Sequence, residues 1–351
     1  MIMKEVFSIR LKQLRVMQGL SMDLLCKRVN NALSKQSISK YESGKMMPDS
    51  KSLIVLANAL NVSIDYFFRP IGLTIDRVEF KRESKLKAKQ LDSIKEIIKD
   101  KLERYFEIES ILDVQSEYKS DYQKIVVQGE KDVYSTVSLI KKDWKLGEDG
   151  INNLIEILEE NKIKVIEIDA PKTLEGLCGF ANATQPFIVL NKNLNSERKR
   201  FTALHELAHL IIIFDSSLDE KNVEELCNLF ASEMLISKDV LIKKIGQNRG
   251  DISLHELKDI QTQFGISIEE LMRKAQYLNI ITENRYKTFC IKKKNADFRD
   301  FVEKSRTRDE DSNRFTRLVY RALASEIISI SKASSLLNTP IEVVRGELNL
   351  A

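Results

Sequence analysis

Two histidines four residues apart, in His205-Glu206-Leu207-Ala208-His209, constrain this chain more than any other feature. They lie inside the apolar run from Phe201 to Ile211. A helix turns once every 3.6 residues, so positions i and i+4 stack on one face and both imidazoles can reach a single tetrahedral Zn²⁺. Leu207 and Ala208 leave the metal side of the helix free of bulk. Glu206 follows the first histidine directly and would stand beside the open coordination position. The chain holds only 3 histidines in 351 residues, so the pair is a cluster and not background. The spacing predicts a zinc hydrolase.

A third ligand lies downstream. Asp215 to Asn222 reads as a loop, and a second helix follows from Val223 to Leu235. Glu224 and Asn228 are again i and i+4, so a carboxylate can close the metal shell while an amide reaches a ligand imidazole.

The run Arg200-Phe-Thr-Ala-Leu-His-Glu-Leu-Ala-His-Leu210, followed by Glu224-Glu-Leu-Cys-Asn-Leu-Phe-Ala-Ser-Glu-Met-Leu235, resembles the ImmA/IrrE family of bacterial metallopeptidases. That family's signature is HExxH and then a Glu-x-x-small-Asn-x-Phe-Ala helix. The resemblance implies His205, His209 and Glu224 as metal ligands and Glu206 as general base. Cys227 stands where the family has alanine, and Ile236-Ser237 replaces the usual Met-Pro ending.

The 351 residues suffice for two or three domains, and 43% hydrophobic content fits a soluble globular chain. No apolar run reaches membrane-spanning length, and Met1-Ile-Met-Lys-Glu5 lacks a signal-peptide core. A cytoplasmic protein without a membrane partner is expected. The 4 cysteines, at 26, 178, 227 and 290, form no CxxC pair, so reduced thiols are expected and Cys178 reads as an ordinary buried one.

Charge is uneven along the chain. Residues 1–70 carry 7 Lys and 4 Arg against 3 Asp and 2 Glu, a net of +6 where the whole chain is +4. A local basic excess suits phosphate contacts. Beneath it, Phe7 to Arg15 reads as a helix, Ser21 caps a second, and Ser34 opens a third that ends at Gly44; Asp49–Leu60 and Ser63–Phe68 complete five. With Ile38-Ser-Lys-Tyr-Glu-Ser-Gly-Lys45 and Pro48, the pattern resembles the Cro/CI-type (XRE) helix-turn-helix domain, although the turn Asn30-Asn31-Ala32-Leu33 has no glycine. The resemblance implies that the helix starting near Ser34 enters the major groove of duplex DNA at an operator. Lys35, Gln36, Ser37, Lys40 and Lys45 are then the candidate base and phosphate contacts.

Between the motifs, Lys81 to Leu112 is charged, with apolar residues at 91, 94, 98, 102, 105, 108 and 112. That spacing makes an amphipathic helix. Its stripe is either a coiled-coil seam, making a homodimer, or a face packed on the peptidase core, which a short repeat without a clean heptad run favours. Further helix is expected from Tyr134 to Leu158. Lys164 to Ile168 alternates as a strand, and Gly179 to Asn191 reads as a hairpin. Residues 179–190 are the candidate edge strand for aligning a substrate by β-addition. His255 has no histidine at ligand spacing and reads as a surface or packing residue. Residues 292–311, rich in Lys, Arg and Asp, read as a linker before a small helical module from Phe315 to Leu350.

The expected fold is mainly α with a small β-sheet (α+β). Residues 1–70 form a five-helix DNA-binding domain, 71–135 a helical linker, 136–290 a zincin-like zinc metallopeptidase domain, and 291–351 a helical C-terminal module. The expected function is a zinc endopeptidase fused to a DNA-binding domain. By the family resemblance it cleaves a helix-turn-helix repressor and so regulates stress-response or mobile-element genes. The alternative is a DNA-binding transcriptional regulator whose metallopeptidase-like domain is a sensor or scaffold with little turnover. An intact Glu206 favours the enzyme, because a structural zinc site needs no base and is usually closed by four protein ligands.

Overall fold

A computed structural model describes residues 3–73, 75–76, 86–114, 118 and 125–349. The chain divides into two compact units, one of residues 1–116, 181–183 and 313–351, the other of residues 117–180 and 184–312. The described residues are mainly helical with a small sheet. Of the expected 71–135 linker, residues 74, 77–85, 115–117 and 119–124 lie outside the described residues.

The first unit opens with α1 (Met3–Met17), α2 (Met22–Arg28), α3 (Lys35–Glu42), α4 (Ser50–Leu60) and a 3-10 turn (Ile64–Phe68). Polar caps set the starts. Ser21 accepts from the Leu24 N–H, Ser34 from Ser37 and Asp49 from Ser52, each satisfying an orphan donor of a first turn. Asn30 and Asn31, at φ 52° and 58°, take the left-handed conformations of the turn before α3. Asparagine tolerates that region better than most residues, which is why the turn forms without glycine. Phe7, Leu11, Leu25, Ile38, Leu56, Leu60 and Phe67 fill the core. The Arg15 guanidinium meets both Glu42 carboxylate oxygens at 2.6 and 2.8 Å, fixing α3 against α1.

A short strand β1 (Ile75–Asp76) precedes α5 (Ala88–Ile111). The stripe of α5 is buried at Ile94, Ile98, Leu102, Tyr105 and Ile108. Within the first unit it is covered by α1 and by the helices at the C-terminal end of the chain, a packing not among those expected from the sequence. Its first half lies along α1, where Arg10 pairs with Glu103 and the Ser93 hydroxyl donates to the Met17 carbonyl at 2.6 Å. The expectation erred because an apolar stripe specifies burial, not the partner that provides it.

The second unit begins with β2 (Val126–Val127), α6 (Glu130–Asp143), α7 (Leu154–Glu160), β3 (Lys164–Ile168), β4 (Gly176–Ala181) and β5 (Gln185–Asn191). Next come α8 (Ser196–Ile211), β6 (Ile213–Phe214) and α9 (Glu220–Leu235), then α10 (Lys238–Ile245), α11 (Leu254–Phe264), α12 (Ile268–Tyr277), α13 (Glu283–Lys292) and α14 (Ala296–Glu303). Strand β5 lies between β4 and β3, parallel to β3 in the register Lys164↔Phe187 to Ile168↔Asn191. Both edges of β5 are therefore paired, and residues 185–190 of the expected substrate strand cannot add another.

Helix α8 is buried almost all round and packs on β5 and α9. Its polar first turns, Ser196 to Arg200, would be costly there without partners. Residues 304–312 supply them. Glu197 accepts from the backbone N–H groups of Arg306 and Thr307 at 2.8 and 3.2 Å, and from Gln261 at 2.8 Å. Ser196 donates to Asp309, Arg200 pairs with Glu310, and Lys199 lies 3.7 Å from Asp311. The expected linker over 292–311 is thus α14 followed by a strap bound to α8. Its charges read as solvated because their buried partners are distant in sequence.

The chain closes with α15 (Arg314–Ala324), α16 (Ile330–Leu337) and α17 (Ile341–Asn349) in the first unit. These helices share a core with the end of α5 through Tyr105, Ile108, Val319, Ala322, Leu336 and Val344.

Candidate metal centre and nucleic-acid face

Helices α8 and α9 bring three ligand atoms together. The Nε2 atoms of His205 and His209 are 3.3 Å apart, and each lies 3.3 Å from an oxygen of Glu224. Zinc binds histidine and carboxylate at about 2.0–2.2 Å, and in a regular tetrahedron neighbouring ligand atoms stand about 1.6 bond lengths apart, or about 3.3–3.6 Å. The three separations fit one tetrahedral ion. Among the described residues these three side chains form the His/Cys/Asp/Glu cluster with metal-ligand spacing.

The imidazoles are oriented by packing and by an amide. His205 is 2% exposed, and its Nδ1 lies 3.0 Å from Asn228 Oδ1. An Nδ1–H donated to that oxygen leaves the Nε2 lone pair for the ion. The His209 ring stands at 66° to His205 and packs against Phe214 of β6. Glu206, buried between its two histidines in sequence, is on the same helix.

Strand β4 presses on this helix at Gly176. A Cβ there would lie 2.5 Å from Thr202 Cγ2, 3.0 Å from the Val189 carbonyl and 3.4 Å from Glu206 Cγ. Gly176 therefore lets the sheet approach the candidate base. The sequence holds a signal for it, since a glycine inside a strand marks close backbone approach. Arg200 carries no such signal: its guanidinium reaches the Ile151 carbonyl at 2.8 Å as well as Glu310. Cys178 and Cys227 are buried cysteines outside any disulfide. His255 is exposed at the first turn of α11 and is not in the cluster.

In the first unit, Lys35, Gln36 and Lys40 are exposed along α3, and Lys45 is exposed just beyond it. Ser37 is half-buried, and its hydroxyl lies 2.9 Å from that of the Ser34 cap. Lys35 makes an exposed pair with Asp23 at 2.8 Å, an interaction worth little in water. Ile38 and Tyr41 point into the core and hold the helix.

A histidine pair facing a glutamate from a neighbouring helix, in a chain that also folds a helix-turn-helix, defines a metallopeptidase-like domain joined to a DNA-binding domain. Residues 158–276 match the peptidase M78 family model described as the IrrE N-terminal-like domain, and residues 11–67 match a helix-turn-helix model. The chain is an IrrE/ImmA-like M78 peptidase domain fused to a helix-turn-helix domain. No curated protein matches it as a relative. Among solved structures, the apo form of ComR from S. Thermophilus aligns over 99% of this chain and 100% of that one, at 13% identity and a TM-score of 0.18. Among the described residues no helix is long and apolar enough to cross a membrane.

Proposed function

We propose that this chain is a cytoplasmic zinc-dependent endopeptidase that cleaves a helix-turn-helix repressor and binds operator DNA through residues 1–70. The convergence of His205, His209 and Glu224 at 3.3 Å spacing carries the reading. These three side chains would hold Zn²⁺, and Asn228 would keep His205 in the tautomer that ligates. A bound Zn²⁺ would supply Lewis acidity toward the attacking water and the scissile carbonyl. Glu206 takes the proton of the attacking water as the new C–O bond forms and later delivers it to the leaving amine nitrogen as the peptide C–N bond breaks. Gly176 keeps the sheet close to Glu206 without displacing it. The peptidase domain is assigned to residues 136–290, with 71–135 joining it to the DNA-binding domain and 291–351 following.

On the DNA-binding side, Gln36 and Ser37 would read bases while Lys35, Lys40 and Lys45 neutralise phosphates. The exposure of α3 and the +6 charge of residues 1–70 support this assignment.

Glu206→Gln tests the catalytic reading. It keeps the side-chain shape and loses only basicity, so zinc content and melting temperature stay at wild-type values while cleavage of a repressor substrate falls about 10²-fold or more. His209→Ala in parallel should lose the metal itself. Turnover unchanged in Glu206→Gln, on a substrate that the wild type cuts, would leave the metallopeptidase-like domain as a sensor or scaffold.

A further inference from the structure

A cavity of about 490 Å³ opens beside α9 in the second unit. Leu218, Leu226, Leu229 and Tyr277 give it apolar walls. Asn228, the residue that orients His205, also lines it, whereas Glu224 does not. The cavity therefore lies beside the metal-ligand face of α9 and shares Asn228 with it.

Its polar groups are unbalanced. Glu270, on α12, is 9% exposed, and it pairs with Arg273 at 3.8 Å, beyond hydrogen-bond reach. Burial pushes the Glu270 carboxyl above the usual range, and the Arg273 charge corrects this only in part. Lys274 also lines the cavity, yet its ammonium is committed to Glu233 at 2.7 Å and to the Ile236 carbonyl. The half-exposed Arg273 pairs with Glu270, and two further carboxylates line the cavity, Glu225 and Glu130, the second accepting a hydrogen bond from Tyr277. In the same wall, the buried hydroxyl of Ser232 has no hydrogen-bond partner among the described residues. A buried carboxyl without a hydrogen-bonded donor is costly unless something supplies one.

We propose that this cavity binds a primary amine or guanidinium carried on an aliphatic stem. The stem lies against the leucines, and the cationic head donates to Glu270 near the mouth carboxylates of Glu225 and Glu130. A lysine or arginine side chain of a peptide and a free alkyl amine share this chemistry. Because Asn228 borders the site, an occupant acts on the group that holds His205.

The test is calorimetric titration of the full-length protein with two probes, agmatine and Nα-acetyl-lysine methylamide, against 1-hexanol as an uncharged stem. At least one cationic probe binds at millimolar concentration or below, hexanol does not, and Glu270→Gln weakens binding about ten-fold or more, the scale of one charge-assisted hydrogen bond. Glu225→Gln, at an exposed position, gives a smaller loss in the same direction and guards against a folding defect in the first variant. Binding of the acetyl-lysine amide alone identifies a peptide side chain as the occupant; binding of agmatine alone identifies a free amine. His209→Ala retains binding, so a failure of the zinc assignment does not touch this result. No binding of either probe to the wild type, hexanol binding as tightly as the amines, or affinity unchanged in both glutamate variants would overturn the proposal.

Discussion

Asn228→Ala isolates the amide's contribution to the candidate metal centre. In the wild type the Asn228 oxygen lies 3.0 Å from Nδ1 of His205, whose side chain is 2% exposed. Asn228 is half-buried and borders the cavity, so water entering there replaces the lost acceptor only in part, and the variant costs the fold up to about 1–3 kcal/mol. The ring is also freed to rotate or to change tautomer. Loss of a partner of this kind typically lowers metal affinity about 10–100-fold, or about 1.4–2.7 kcal/mol. Asn228→Asp keeps an acceptor at the same place and makes it anionic, so it should hold zinc at least ten-fold better than the alanine variant, an estimate on the same scale. The assay is competition with a calibrated zinc chelator at neutral pH, with circular dichroism confirming the fold of each variant. Folded Asn228→Ala with wild-type zinc affinity would refute the claim that the amide orients a ligand.

Gly176→Ala places a Cβ 2.5 Å from Thr202 Cγ2; overpacking of this kind costs about 1–3 kcal/mol, and peptidase activity should fall further than melting temperature because Glu206 is displaced, with zinc content as the control. The hydrogen bonds from Arg306, Ser305 and Gln261 outweigh the burial that opposes charge on Glu197, and hold its carboxyl below the ordinary 4.5. A depressed folded-state pKa adds stability above the unfolded value that is lost as pH falls through the folded one, so wild-type melting temperature should drop on acidification below about 4.5 more steeply than that of Glu197→Gln; parallel curves would contradict this. Lys40→Ala should weaken DNA binding across sequences and flatten its salt dependence, while Gln36→Ala should mainly relax sequence preference, both read by fluorescence anisotropy on operator and random duplexes.

What the sequence made legible was local. The i, i+4 histidines, the Glu224–Asn228 pair and the Ser21 cap are all spacings within one or two helical turns, and the structure brings His205, His209, Glu224 and Asn228 together from α8 and α9. Strand β3 likewise runs over Lys164–Ile168, where alternation put it. The features that escaped are pairings at long range. The stripe of α5 announced burial but carried no mark of α1 or of the C-terminal helices. The acidic run Asp309-Glu310-Asp311 looked solvated because Lys199 and Arg200 lie more than a hundred residues before it.

That strap bears on the candidate metal centre through the helix it holds. Helix α8 begins with ionisable residues at 197, 198, 199 and 200 and carries its ligands at 205 and 209, so one rigid element joins a buried polar network to the candidate chemistry. A helix rises about 1.5 Å per residue, which puts His205 roughly 7–8 Å beyond Arg200 along the axis. Within so short a rigid span, a tilt at the strap end reaches the histidines largely undamped. The hydrogen bonds of Glu197 and the pairing of Arg200 with Glu310 therefore set where the imidazoles stand relative to Glu224 on α9. A centre that needs three ligand atoms at about 3.3 Å tolerates little drift, and this is the physical reason for the helix that carries the candidate ligands to bury Glu197, Lys199 and Arg200 in its first turns.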